Sequence, residues 1–159
     1  MNERKTALVT GASRGIGAAC ARALAEAGYF VAVNYNTNRE AAERLASDLG
    51  GRAFGADVSD DDAVARMFDA AGGVDTLVCN AGIARSGLFT DTARDWRRVF
   101  DVNVGGVINC CRAAIPHMVS QKSGCIVTVS SVWGVTGASC EAVYSASKAA
   151  VIGLTKSLA

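Results

Sequence analysis

Apolar residues along this chain arrive in short continuous runs, each followed by a longer stretch in which they recur every three or four positions. The runs TALVT, FVAV, RAFGAD and VDTLVC precede stretches with helical spacing at 15–28, 39–50, 60–71 and about 93–120. A fifth run, GCIVTVSS, leads into a helix that holds Tyr144. Continuous runs, as opposed to alternating ones, are the pattern of strands buried on both faces. Their alternation with helices predicts a parallel sheet joined by right-handed crossovers. The expected fold class is α/β. No repeat or low-complexity linker interrupts it, so residues 1–159 read as a single domain.

Two features complicate the pattern. Pro116 falls late in the 93–120 stretch, where it removes a backbone donor and is expected to kink or shorten the helix. The last helix, SASKAAVIGLTKSLA, is still periodic at Ala159 and has no glycine or asparagine to cap it, so it reads as cut and not finished. A five-strand sheet ending there would leave its final strand, near 125–130, as an apolar edge that further chain or a partner is expected to cover.

Composition narrows the chemistry. Half of the residues are hydrophobic, and 16 Lys and Arg face 15 Asp and Glu without a long charge run. That balance argues against nucleic acid and anionic membrane as partners and for a small substrate or cofactor. The apolar run near the N-terminus is too short for a signal peptide and no segment approaches membrane-spanning length, so a cytoplasmic protein is expected. Six scattered cysteines without C-x-x-C spacing, beside a single histidine, His117, argue against zinc and for reduced, mostly buried thiols.

After the first run comes TGASRGIG, with Gly11, Gly15 and Gly17 opening a helix. A pyrophosphate needs backbone N–H groups at close range and a positive helix terminus, and glycines permit both. The spacing departs from G-x-G-x-x-G, and a plain strand–helix turn would also use such glycines. Dinucleotide folds selecting NAD place an acid about 20 residues further on. Here Asn34 and Tyr35 stand in that region, with no carboxylate before Glu40, while Arg14 and Arg39 could neutralise a 2′-phosphate. NADPH is therefore expected over NAD; the plainer alternative leaves both arginines on solvated helix starts.

TGASRGIG, CNAG at 79–82, DVNV at 101–104, SS at 130–131 and YSASK at 144–148 together resemble the short-chain dehydrogenase/reductase family, and within it the 3-oxoacyl-[acyl-carrier-protein] reductases. The resemblance implies a Rossmann-type doubly wound parallel sheet, here truncated after the sixth helix and lacking the family's C-terminal strands and substrate-covering helices. It implies NADPH/NADP as cofactor and a homodimer or homotetramer. Residue by residue, it makes Tyr144 the general acid, Lys148 its activating partner, Ser131 the group that orients the substrate carbonyl, and Asn103 the holder of a water beside Lys148. Gly11, Ser13, Arg14, Ile16 and Gly17 match the phosphate loop, Asp57 and Val58 the adenine contacts, and Asn80, Ala81 and Gly82 the cofactor lining. Cys79 stands where the family usually has asparagine, a position expected to support the sheet.

The chemistry explains the residue types. Reducing a ketone puts a hydride on carbon and a proton on oxygen, so an acid must stand beside the nicotinamide. An ammonium about 4 Å from a phenol favours its ionised form by about 4 kcal/mol at an effective dielectric near 20, and a four-residue spacing places the two on one helix face. Strand alternation would point Ser130 and Ser131 oppositely, so only one faces the site. Between Ser131 and Tyr144, Trp133 offers apolar area and Glu141 a negative charge, expected to contact substrate. A 3-oxoacyl thioester, free or carrier-bound, and a small ketone are the expected substrates. WGVTGASCE also resembles a subset acting on an aminopentanone carried by elongation factor P, which the Glu141 carboxylate would suit. A non-catalytic NADP-binding module is the alternative from a different class. Val104, Val107, Ile108, Ile152 and Leu154 are candidates for a two-fold helical interface.

Overall fold

The computed structural model describes residues 4–159; the first three residues of the polar N-terminal stretch lie outside the described part. Five parallel strands, β1 (Thr6–Val9), β2 (Phe30–Tyr35), β3 (Arg52–Gly55), β4 (Thr76–Cys79) and β5 (Cys125–Thr128), form one sheet in the order β3-β2-β1-β4-β5. Between them run α1 (Gly15–Glu26), α2 (Arg39–Asp48), α3 (Asp61–Ala71), the short α4 (Phe89–Thr92) and α5 (Trp96–Phe100), and α6 (Gly106–Gln121). One turn, α7 (Trp133–Thr136), precedes the long α8 (Ala142–Leu158).

Register and burial show why the apolar runs become strands. Leu8 pairs with Ala32 on one side and Leu77 on the other, and all three are inaccessible to solvent. Helices cover both faces. One face holds Val9, Val31, Val33, Ala21 and Leu45 under α1 and α2, and the other holds Leu8, Leu77, Val64, Phe68, Cys110 and Ala114 under α3 and α6. The sheet is thus doubly wound, as the sequence pattern requires. Helix starts follow local chemistry: the Asn38 and Asp60 side chains accept from Ala41 N and Ala63 N to cap α2 and α3.

The segmentation between β4 and β5 differs from the single helix expected over 93–120. A 3-10 turn at Ala93–Asp95 and a π-helical turn at Asp101–Gly105 interrupt it, the latter because Asn103 points into the core and its amide takes partners on two other segments. Pro116 lies inside α6, which continues to Gln121, so the proline does not end the helix. The chain's last helix is α8, with α4, α5 and α7 adding short segments that the hydrophobic period could not reveal. β5 is an edge strand, and Val127 on it is 46% exposed. Of the residues proposed for an outer helical face, Val107 is buried in the core and Leu154 packs against it, whereas Ile108 is exposed. Three of the six free cysteines, Cys79, Cys110 and Cys111, are buried, whereas Cys125 and Cys140 are exposed, which corrects the expectation of mostly buried thiols. No helix among the described residues is long and apolar enough to cross a membrane.

Candidate active site

Strand order reverses between β1 and β4, and the crevice beyond their carboxyl ends is where such sheets admit ligands. The glycine loop leaves β1 there. Gly11 (φ +60°) and Gly15 (φ +57°) adopt left-handed backbone conformations. A Cβ on Gly11 would lie 2.9 Å from Ala81 Cα, and one on Gly17 would lie 2.5 Å from Asn80 Nδ2 and 2.6 Å from the Gly11 carbonyl oxygen. No side chain fits at either place. Asn80 Nδ2 donates to the carbonyls of Thr10 (2.9 Å) and Gly11 (3.0 Å), while the Thr10 hydroxyl accepts from Asn80 N (2.9 Å) and Ala81 N (3.0 Å). The glycine loop and the CNAG segment are therefore one hydrogen-bonded unit. α1 starts without a side-chain cap, which leaves its first-turn amides available to a ligand.

These segments border a cleft of about 770 Å³. Gly11, Ser13, Arg14, Ile16, Asn34, Asp57, Val58, Asn80, Ala81 and Gly82, all expected to face a cofactor, line it. Gly17, Tyr35, Arg39, Tyr144 and Lys148, expected with them, do not. The Tyr35 ring packs over Gly55, and the Arg39 guanidinium turns to Glu43 at 2.7 Å. Asn36, Thr37 and Asn38 line the cleft at the end of β2 in their stead.

Asn34 touches the cleft, but its amide is committed inward. Its Oδ1 accepts from Gly11 N (3.1 Å), and its Nδ2 donates to the carbonyls of Ala56 (3.0 Å) and Phe54 (3.3 Å). It is a clamp between β2, β3 and the glycine loop. Asp57, on the same wall, accepts from the Ser59 amide and hydroxyl, from Arg98 Nη2 at 2.6 Å, and from Asn36 Nδ2 at 3.4 Å. Partial burial by itself would raise the Asp57 carboxyl, but the hydrogen bonds from Ser59 and Arg98 and the Arg98 charge outweigh it and hold the group below its ordinary value.

The second part of the site is built on α8 and the π-helical turn. Lys148 is 5% exposed, and burial holds its ammonium below its ordinary pKa. Its Nζ donates to the Val129 carbonyl at 2.7 Å and lies 5.8 Å from the centre of the Tyr144 ring, so its hydrogen bond goes to the backbone beyond β5. Asn103 Oδ1 accepts from Ile83 N (2.8 Å), and its Nδ2 donates to the Ile83 carbonyl (2.9 Å) and to Ser147 Oγ (3.0 Å). A Cβ on Gly82 would sit 3.3 Å from Asn103 Oδ1 and 3.4 Å from Lys148 Nζ. Gly82, which lines the cleft, thus packs against both Asn103 and Lys148, which lie buried behind it.

Both serines of SS lie past the end of β5 at Thr128, so strand alternation does not set their directions. Ser130 Oγ donates to the Lys148 carbonyl at 2.8 Å, whereas Ser131 Oγ accepts from Trp133 N at 3.2 Å. Ser130 is thereby occupied in holding α8. Glu141 precedes α8 and accepts from the Ser86 hydroxyl at 2.6 Å, and the amide of Gly87 donates to the Cys140 carbonyl at 2.9 Å. The segment after β4 is in this way tied to the start of the Tyr144 helix. Trp133 remains 41% exposed.

Sequence reasoning missed Arg98, Ser59, Ser147 and Ile83. Arg98 sits in an arginine pair, Arg97–Arg98, of which only one member can face Asp57, and nothing in the local pattern distinguishes them. Ser147 is signalled only by its position between Tyr144 and Lys148.

Residues 5–159 match the family model described as short chain dehydrogenase. The chain is 46% identical over 169 residues to 3-oxoacyl-[acyl-carrier-protein] reductase from Staphylococcus aureus, an alignment covering 100% of this chain and 69% of that protein. It is 42% identical over 160 residues to acetoacetyl-CoA reductase from Paracoccus denitrificans, covering 98% and 66% of the two chains. A solved structure described as a short chain dehydrogenase/reductase family protein superposes with a TM-score of 0.91 at 35% identity, covering 99% of this chain and 68% of the other.

Proposed function

The chain belongs to the short-chain dehydrogenase family of oxidoreductases, and from that premise we propose that it reduces a ketone to a secondary alcohol at the expense of NADPH. The preferred substrate is a 3-oxoacyl thioester, the class named in the relatives from Staphylococcus aureus and Paracoccus denitrificans. One observation carries the reading: Lys148 Nζ and Asn103 Oδ1 converge on Gly82, at the rim of a cleft that begins at an uncapped helix and a glycine loop.

The residues fit a dinucleotide. Gly11 brings backbone to the cleft where a side chain could not stand, the buried Gly17 lets α1 pack closely on Asn80 and the Gly11 carbonyl, and the α1 amides and Arg14 present positive charge to phosphate. Arg14, with the uncharged Asn36, Thr37 and Asn38 at the end of β2, supports a 2′-phosphate, for which an acid at that place would be repulsive. When bound, the cofactor supplies the hydride. Tyr144 delivers the proton to the carbonyl oxygen, and Ser131 holds that oxygen by a hydrogen bond. The Lys148 ammonium, beside Gly82 and Asn103, donates into the path past Asn103 by which a replacement proton reaches the phenol. In this reading Asn103 acts through its backbone, because its amide is already engaged by Ile83 and Ser147.

Turnover of NADPH with an acetoacetyl thioester tests the reaction. Tyr144→Phe is expected to bind NADPH as the parent does and to lose turnover by a factor of about 100 or more. Retention of most of the activity would refute the mechanism. Faster initial rates with NADH than with NADPH would refute the cofactor assignment, and NADPH binding without turnover of any ketone would favour a non-catalytic module.

Glu141 supports a second substrate reading. A carboxylate held by Ser86 at the start of the Tyr144 helix suits a ketone bearing an amine, such as an aminopentanone carried by elongation factor P. Glu141→Gln separates the two: it lowers activity on the amine-bearing ketone and spares the acyl thioester. We further propose that residues 1–159 act as one NAD(P)-binding domain and associate as a homodimer or homotetramer through helices including α6, whose Ile108 is exposed, which sedimentation would test.

A further inference from the structure

Arg98 belongs to none of the motifs that point to the cofactor, yet it closes one wall of the cleft. It comes from α5, a segment distant in sequence from β3, and reaches across to the loop that follows that strand. Its Nη2 donates to Asp57 Oδ2 at 2.6 Å and its Nη1 to Ser59 Oγ at 2.6 Å. The Ser59 hydroxyl in turn donates to Asp57 Oδ1 at 2.6 Å, and the Ser59 amide to the same oxygen at 2.9 Å. The guanidinium, the hydroxyl and the carboxylate form a closed ring, so neither Asp57 nor Ser59 can rotate without breaking a bond to Arg98. The side chains of Arg98 and Asp57 remain 47% and 30% exposed, so the ring borders solvent at the cleft and is not interred beneath it.

We propose that Arg98 is a positioning and specificity residue for the base of the dinucleotide, fixing Asp57 as an ionised, acceptor-only group that selects a purine carrying an exocyclic amine. The inference rests on the cofactor reading above. A carboxylate that cannot donate accepts from an amino group and rejects a ring carbonyl at the same place, because the two oxygens would repel and neither could supply a proton. Without Arg98, Asp57 keeps only the Ser59 bonds to Oδ1, and Oδ2 loses the short bond that fixes where it points, so the acceptor is no longer held toward an amino group. Consistent with this, the Ser59 and Arg98 hydrogen bonds hold the Asp57 carboxyl below its ordinary range in spite of the burial that opposes them. The role of Arg98 is exercised through Asp57.

The test compares NADPH with its deamino analogue, in which hypoxanthine replaces adenine, by direct titration and by steady-state kinetics. The parent chain is expected to bind NADPH about tenfold more tightly than the deamino form, the ratio expected from one hydrogen bond to a charged group at a partly exposed site. Arg98→Gln should weaken NADPH binding about fivefold to tenfold, bring the two nucleotides to within about twofold of each other, raise KM for NADPH and leave kcat for the ketone within about twofold. Arg98→Lys, which restores a charge without the fork, should recover part of the discrimination. Thermal unfolding of both variants identifies any loss of fold, and discrimination measured on Arg98→Lys decides the matter if Arg98→Gln is unstable. If the parent binds neither nucleotide, the cofactor reading falls and this inference with it. If the parent binds NADPH and the Arg98 variants keep the same preference over the deamino form, only this inference is overturned. A fall in kcat with unchanged binding would overturn it too.

Discussion

Asn34 stands where a dinucleotide fold that selects NAD would carry an acid, which makes Asn34→Asp the obvious substitution for changing cofactor preference. The structure predicts that it fails. Asn34 is 1% exposed, and its Nδ2 donates to the carbonyls of Phe54 and Ala56 while its Oδ1 accepts from Gly11 N. An aspartate in the same rotamer keeps the bond from Gly11 and loses both donations, placing carboxylate oxygen against two carbonyl oxygens. Each unsatisfied buried acceptor costs about 1–3 kcal/mol, so the loss is about 3 kcal/mol before any penalty for burying charge. For a domain of this size that corresponds to a fall in Tm of about 10 °C. Thermal and urea unfolding of the parent, Asn34→Asp and Asn34→Ala would measure it, with initial rates on NADH and NADPH alongside. The expected result is a destabilised protein with no gain on NADH. A stable Asn34→Asp variant with improved NADH use would refute the inward assignment of this side chain.

Gly17→Ala should destabilise the domain by about 1–3 kcal/mol and weaken nucleotide binding, because the new methyl would meet Asn80 Nδ2 and the Gly11 carbonyl; urea unfolding with NADPH titration checks both. Gly82→Ala is expected to lower kcat with little effect on Tm, since its methyl would stand about one contact distance from Lys148 Nζ and Asn103 Oδ1; an unchanged kcat would remove the case for convergence at that point. Asp57 has a lowered folded-state pKa, so its stabilising contribution is complete above the unfolded value of 3.8 and is lost as pH falls through the lower folded value. The stability difference between the parent and Asp57→Asn should accordingly be constant from pH 7 to about 5 and shrink at lower pH, as denaturant titrations at each pH would show.

The legibility of the site in the sequence followed the range of the interactions. Gly11, Gly15 and Gly17 were readable because a positive φ or a close backbone approach demands glycine wherever it occurs. Tyr144 and Lys148 were readable because a four-residue spacing fixes a shared helix face. For Arg39 a four-residue spacing supplies a local partner instead, Glu43 at 2.7 Å, and the side chain does not line the cleft. Ser130 and Ser131 were distinguished by family spacing, not by the alternation argued for them, since the strand ends at Thr128 and the turn beyond it sets each hydroxyl.

By itself, the sequence determined the alternation of strands and helices, the covering of the sheet on both faces, and the side-chain types present at the candidate site. These depend on hydrophobic period and side-chain type, which are properties of neighbouring residues along one chain. Tertiary structure alone decided that Asn34 is a clamp, that Asn103 takes its partners from Ile83 and Ser147, and that the Lys148 ammonium rests on Val129 beside Gly82. It also decided that Arg98, not its neighbour, encloses Asp57. Each of those bonds joins segments tens of residues apart, and strand order and helix packing choose the partner where composition leaves several of equal chemistry.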